Sequence, residues 1–296
     1  MHCLIFPGQG VQRRGMGAEL FERHPQETEA SSEVLGYPVT RLCRDNPGDR
    51  LADTRYAQPA VFLVNALSWL DLRSQGRSYD YFAGHGLGEY NALVAAGVLG
   101  LTDALALVAR RARLMAGVTG GAMVAVVGLD SARVEATLHA AGLDLVHVAH
   151  RNSDRQVAVA GDRRQLALAV EALRGPEVRV LPVPAAGPFH TPLMAPAERA
   201  FTPVLRAYAF GAGHTPVMSS TTGREFAPDQ AVQLLGRQLS RPVEWVRTVH
   251  ALRAAGVTRF DEANGTALTA FVAQTATRRP TERHRQTPAG LPVGQW

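Results

Sequence analysis

The stretch Phe82-Ala83-Gly84-His85-Gly86-Leu87-Gly88-Glu89-Tyr90 decides the fold. A short apolar run leads into it, and Ala92-Leu93-Val94-Ala95-Ala96 continues it as a helical run. Strand, sharp turn and helix follow one another, with glycine at alternate positions through the turn. The layout is that of a nucleophile elbow, G-x-S-x-G, in which a serine tops a strained turn beside backbone N–H groups. Here Gly86 holds the central position, so the frame for a nucleophile surrounds a residue that has none. Taken alone, the stretch also reads as a plain glycine-rich βα turn, which needs only glycine's tolerance of positive φ. A dinucleotide fingerprint, G-x-G-x-x-G, would need glycine where Glu89 stands, and fails.

On the N-terminal side, Leu4-Ile5-Phe6 reads as a strand running into Pro7-Gly8-Gln9-Gly10-Val11-Gln12, a turn whose exposed N–H groups suit an anion. A short helix follows over 18–23, and residues 30–57 read as irregular, with Pro38, Pro47 and Gly48 interrupting short helical pieces. Val61, Val64, Leu67 and Leu70 recur at helical spacing and predict a buried helix over 58–72. A second helix is expected over 103–115, where Arg110, Arg111 and Arg113 sit among leucines.

From Gly120 the style changes. Strand 123–129, helix 131–141 with Ser131 as its cap, strands 145–149 and 156–160, helix 163–173 and strand 178–183 succeed one another. The order β-α-β-β-α-β is the split βαβ of a ferredoxin-like unit. The division expected is a large α/β subdomain over 1–121 and 188–277, interrupted by a small one over 122–187. Beyond Gly187-Pro188-Phe189-His190, helices are expected over 195–206, 229–238, 245–254 and 268–275, with short strands at 216–218 and Phe260. Residues 278–296 carry four arginines, three prolines and no apolar periodicity, and read as a disordered tail.

Composition narrows the function. An apolar fraction of 46% supplies an ordinary globular core. No apolar run nears the roughly 18 residues of a membrane span, and the first residues lack a basic, signal-like start; the expected location is cytoplasmic. Cys3 and Cys43 offer neither a disulfide framework nor metal spacing. Every permanent cation is arginine, which excludes a P-loop lysine and any Schiff-base lysine. The net charge of +5 is scattered among acids and aromatics make up 6%, so nucleic acid ranks low and a phosphate-bearing ligand or acidic protein suits equally well.

Six separated motifs, in order, resemble one family, the malonyl-CoA:acyl-carrier-protein transacylases, including freestanding trans-acting acyltransferases of polyketide and fatty-acid synthesis. They are Phe6-Pro7-Gly8-Gln9-Gly10, Ala57-Gln58-Pro59-Ala60, the elbow, Arg111 with Met115, Gly187-Pro188-Phe189-His190, and Gln238-Leu239 with Pro242-Val243 and Trp245. The resemblance implies an α/β-hydrolase-like large subdomain with an inserted ferredoxin-like small one, and a site in the cleft between them. It implies malonyl-CoA as substrate, an acyl carrier protein or polyketide synthase module as partner, and no cofactor or metal. A serine at position 86 would be acylated in a double displacement, with His190 as acid and base and the Gln238 carbonyl orienting the imidazole. The N–H groups of Gln9 and Leu87 would form the oxyanion hole, and Arg111 would bind the malonyl carboxylate through its planar fork. Phe189 would narrow the pocket against a methyl branch, and Met115 and Asn152 are pocket-lining candidates with core packing as the equal alternative.

Three positions depart from the pattern: Val11 and Ala116, which the fold tolerates, and Gly86, which removes the nucleophile. An active transferase with its nucleophile removed is the favoured expectation. Two alternatives stand beside it: a non-catalytic pseudoenzyme that docks a carrier or synthase, and a weak thioester hydrolase using water activated by His190.

Overall fold

The computed structural model describes residues 1–184 and 187–276. The expected tail over 278–296 lies outside the described residues. Two four-stranded sheets organise the chain. The first contains β1 (His2–Phe6), β2 (Tyr81–Gly84), β7 (Val217–Met218) and β8 (Arg259–Glu262), in the order β7-β2-β1-β8. All its pairings are parallel. Strands buried on both faces carry apolar runs rather than alternation, and Cys3, Leu4, Ile5 and Phe6 are accordingly all inaccessible to solvent.

The second sheet contains β3 (Gly121–Val127), β4 (Val146–Ser153), β5 (Gln156–Asp162) and β6 (Arg179–Pro182), all antiparallel in the order β4-β5-β3-β6. With the helices Ser131–Ala140 and Arg163–Ala172 between strands, this is the ferredoxin-like arrangement. Its core is its own: Val126, Val134, Val148, Val157, Val159 and Leu166 pack together. The small sheet is stitched to the rest of the chain along β4. Arg151 N–H donates to the Val243 carbonyl at 2.9 Å, and Val243 N–H donates to Ala149 at 2.9 Å. The molecule is thus a mixed α/β fold carrying a small subdomain.

Several local expectations need correction. Residues 30–57 are mostly helical: Pro25–Leu35, Val39–Asp45, a 3-10 turn over Pro47–Ala52, and the start of the helix Thr54–Ser74. The prolines that suggested interruption sit at first helical turns or just before them, where their missing N–H costs nothing. Helix Ser131–Ala140 is capped by Asp130, whose carboxylate accepts from Arg133 N–H, and not by Ser131. Strand β4 runs four residues past its expected end, which brings Asn152 onto the sheet.

Candidate active site

The site begins with the parallel register of β1 and β2. Phe6 lies opposite Gly84, so the loops leaving both strands emerge side by side at the same sheet edge. Crevices outside the carboxyl ends of parallel strands are where such sheets bind ligands. The His85 N–H extends the ladder by donating to the Phe6 carbonyl at 2.9 Å. The chain then turns sharply into the helix Gly88–Ala95. Side chains at Gly84 or Gly88 would collide with backbone, Gly84 against Gly88 and Gly88 against Phe6. Those two glycines let the elbow close, while Gly86 at its tip adopts φ 53, the left-handed region.

Two donors flank that tip. The N–H groups of Gln9, in the loop after β1, and of Leu87, at the start of the elbow helix, meet no acceptor among the described residues. Unpaired helix-terminal and turn N–H groups of this kind suit an oxyanion.

His190 arrives from the segment that leaves the small subdomain, with φ 59 and its N–H donated to the Leu239 carbonyl at 3.1 Å. Its Nδ1 lies 2.7 Å from the carbonyl oxygen of Gln238. That carbonyl caps the helix Ala231–Arg237, whose last C=O groups have no partner within the helix. The pairing places the imidazole proton on Nδ1 and leaves a lone pair on Nε2, the form a general base needs. A Cβ built on Gly86 would stand 3.1 Å from that Nε2. Burial, then the positive charge of Arg111 and the nearby His85, push the His190 pKa down to about 3, so the imidazole is neutral at physiological pH.

Arg111 settles the ambiguity among three neighbouring arginines. Arg110 and Arg113 face solvent from the helix Leu101–Ala116, whereas Arg111 is 2% exposed. Its Nη1 donates to Gln58 Oε1 at 2.5 Å and its Nη2 to Gln238 Oε1 at 3.1 Å, both neutral acceptors. Its Nε has no partner, and no carboxylate among the described residues pairs with it. A buried guanidinium without a counter-anion is costly unless an anion arrives from outside.

Gln9, Gly86, Leu87, Arg111, Met115, Phe189 and His190 line one cleft. Asn152 does not. It stands behind the cleft wall, with Oδ1 2.8 Å from His85 Nε2, because the extended β4 turns it toward the elbow. Two residues emerge that sequence reading gave no role. His150 lines the cleft with its ring edge-on to His190 at 5.1 Å and to His85 at 4.8 Å. Glu89 is 1% exposed and accepts from Ser220 Oγ at 2.7 Å and Gln238 Nε2 at 2.5 Å. Glu89 lay in plain view within the elbow motif, whereas nothing in spacing or periodicity marks His150.

The model of the acyl transferase domain family matches residues 3–281. The chain belongs to that family. It is 40% identical over 91% of its length to the polyketide biosynthesis protein ThaF of Burkholderia thailandensis, but spans only 24% of that larger protein. It is 37% identical to the polyketide biosynthesis malonyl CoA-acyl carrier protein transacylase BaeC of Bacillus velezensis, over 88% of this chain and 92% of BaeC. Among solved structures it superposes on the malonyl CoA-acyl carrier protein transacylase of Burkholderia pseudomallei with a TM-score of 0.90 and 36% identity, covering 93% of this chain and 97% of that one. Among the described residues, no helix is long and apolar enough to cross a membrane.

Proposed function

We propose that this chain binds the malonyl thioester of CoA and meets an acyl carrier protein, the two substrates named for its malonyl CoA-acyl carrier protein transacylase relatives, and that Gly86 stops it before the covalent step. One observation carries the reading. A side chain at position 86 would point its Cβ at His190 Nε2 from 3.1 Å, inside a cleft that also holds a buried Arg111 whose Nε has no partner and which no carboxylate among the described residues neutralises.

With a hydroxyl at position 86, the chemistry runs in two displacements. The oxygen attacks the thioester carbonyl as His190 Nε2 takes its proton, and the N–H groups of Gln9 and Leu87 receive the developing oxyanion. The C–S bond breaks, and the CoA thiolate leaves with the proton returned by His190. A carrier-protein thiol then attacks the malonyl ester with His190 as base, and the ester oxygen regains its proton. Throughout, the malonyl carboxylate lies on Arg111, the buried cation held by neutral amides without a counter-anion. With glycine at position 86 no ester forms, while the carboxylate and oxyanion sites remain.

The test is intact mass after incubation with malonyl-CoA, on this chain and on Gly86→Ser in parallel. A malonyl adduct on the serine variant alone supports the reading. No adduct on either, with malonyl-CoA unconsumed, leaves a docking protein. Free CoA released by the glycine chain without an adduct makes it a hydrolase.

A further inference from the structure

Glu89 is a buried carboxylate that touches none of the reacting atoms described above, yet sits at the junction of the site. Its Oε2 faces both Ser220 Oγ at 2.7 Å and Gln238 Nε2 at 2.5 Å. The same Gln238 amide donates from Nε2 to the carbonyl of Gly86 at 3.1 Å, and its Oε1 accepts from Arg111 Nη2 at 3.1 Å. Beyond Arg111, the chain of contacts continues through Gln58 to Thr54 Oγ1 at 2.7 Å and on to Gln9 Oε1 at 2.8 Å.

We infer that Glu89 is a positioning residue that sets the orientation of the Gln238 amide, thereby aims Arg111, and so gives the site its preference for carboxylated acyl thioesters. The inference rests on the malonyl reading proposed above. Glu89 Oε1 has no partner among the described residues, while the carboxyl oxygen that meets both donors, Oε2, acts as an acceptor. Facing it, the amide of Gln238 has one acceptable orientation, with nitrogen toward Glu89 and the Gly86 carbonyl and oxygen toward Arg111. The reversed amide would set NH2 against the guanidinium and oxygen against two other oxygens. Burial raises the Glu89 pKa, and the Ser220 and Gln238 donors, with the dipole at the first turn of the elbow helix, act against that rise. Arg111 is then gripped at Nη1 and Nη2 by two neutral amide oxygens, which orient it without neutralising it. A ligand carboxylate gains from that orientation, and an uncarboxylated acyl group does not.

Malonyl-CoA and acetyl-CoA share everything but the carboxylate, so calorimetric titration of this chain with both separates the effects. Glu89→Gln keeps shape and burial but withdraws the shorter of the two acceptors that hold the Gln238 Nε2, leaving only the Gly86 carbonyl to fix the amide. Malonyl-CoA affinity should fall about tenfold, the scale of one charge-assisted hydrogen bond, while acetyl-CoA affinity stays unchanged. Gln238→Met removes the amide and keeps the backbone carbonyl on His190; it should show the same selective loss, and it decides the matter if Glu89→Gln fails to fold. Equal losses for the two ligands, or no loss for malonyl-CoA, overturn the inference. If the parent chain binds neither ligand, the malonyl reading itself falls and takes the inference with it.

Discussion

Placing a serine at position 86 should cost stability even where it supplies the nucleophile of the proposed reaction. Gly86 sits at φ 53, where an L-residue is strained, and a Cβ there would stand 3.1 Å from His190 Nε2 and 3.4 Å from its Cε1. The imidazole has little room to retreat, because its Nδ1 is held to Gln238 and its backbone to Leu239. The left-handed conformation alone costs about 1–3 kcal/mol, and each kcal/mol lowers Tm by about 2–4 °C in a domain approaching this size. Gly86→Ser and Gly86→Ala should therefore both melt several degrees below the parent in calorimetry, and close to one another. Only the serine variant should take up a malonyl group in intact-mass analysis. The pairing matters, since alanine carries the strain without the oxygen and isolates the nucleophile's share. A Gly86→Ser variant as stable as the parent would refute the strained-elbow reasoning, and an adduct on Gly86→Ala would refute the placement of the nucleophile.

Three further outcomes follow from the site. Burial holds His85 near a pKa of about 4 and His190 near about 3, and lowers that of His150 as well. The unfolded chain then binds more protons below about pH 6.5, so each histidine should remove about 1.4 kcal/mol of stability per pH unit on acidification from there toward its folded pKa. Glu89, whose pKa burial raises, opposes that trend at the acid end; Tm measured from pH 7 to pH 4 should fall, and a flat profile would contradict neutral buried imidazoles. Arg111→Lys should lose malonyl-CoA affinity by about tenfold or more, because an ammonium cannot reproduce the two-amide grip and the planar fork; a calorimetric affinity equal to the parent's would remove Arg111 from the carboxylate site. In the Gly86→Ser background, Phe189→Leu should raise the rate with methylmalonyl-CoA relative to malonyl-CoA by opening the cleft wall, and an unchanged ratio would return Phe189 to plain packing.

Much of the fold was legible because local signals and tertiary demands agree. The glycines at 84 and 88 mark an elbow since nothing larger fits between β1, the turn and the helix. The β-α-β-β-α-β order over the insertion became the sheet order it implied. Arg111 was singled out from Arg110 and Arg113 only by the family resemblance, and the fold places it one helical turn from Met115 on the same buried face. What escaped depended on contacts between distant segments. The helices between 25 and 53 are tied down by packing rather than by periodicity, as Leu35, Val39 and Leu42 join the main core. Asn152 moved behind the cleft because β4 pairs with Val243, nearly a hundred residues on, and no local pattern announces that bridge. Glu89 was visible as a letter of a motif, but its partners lie at Ser220 and Gln238, and only the fold brings them together.

The arrangement also explains why a glycine can stand at the tip without dissolving the site around it. None of the groups converging there depends on a side chain at position 86. His190 is oriented from behind by a helix-terminal carbonyl, the two donor N–H groups belong to the backbone, and Arg111 is held by amides on two other helices or their ends. Position 86 contributes its own carbonyl to Gln238, a contact any residue makes. Preorganisation therefore resides in the scaffold, and on the proposed reading a serine at position 86 is the one part of the site that glycine leaves out. That separation makes the malonyl-CoA titration of the unmodified chain informative: the proposed function expects binding without acylation, and acylation of the glycine chain would overturn it.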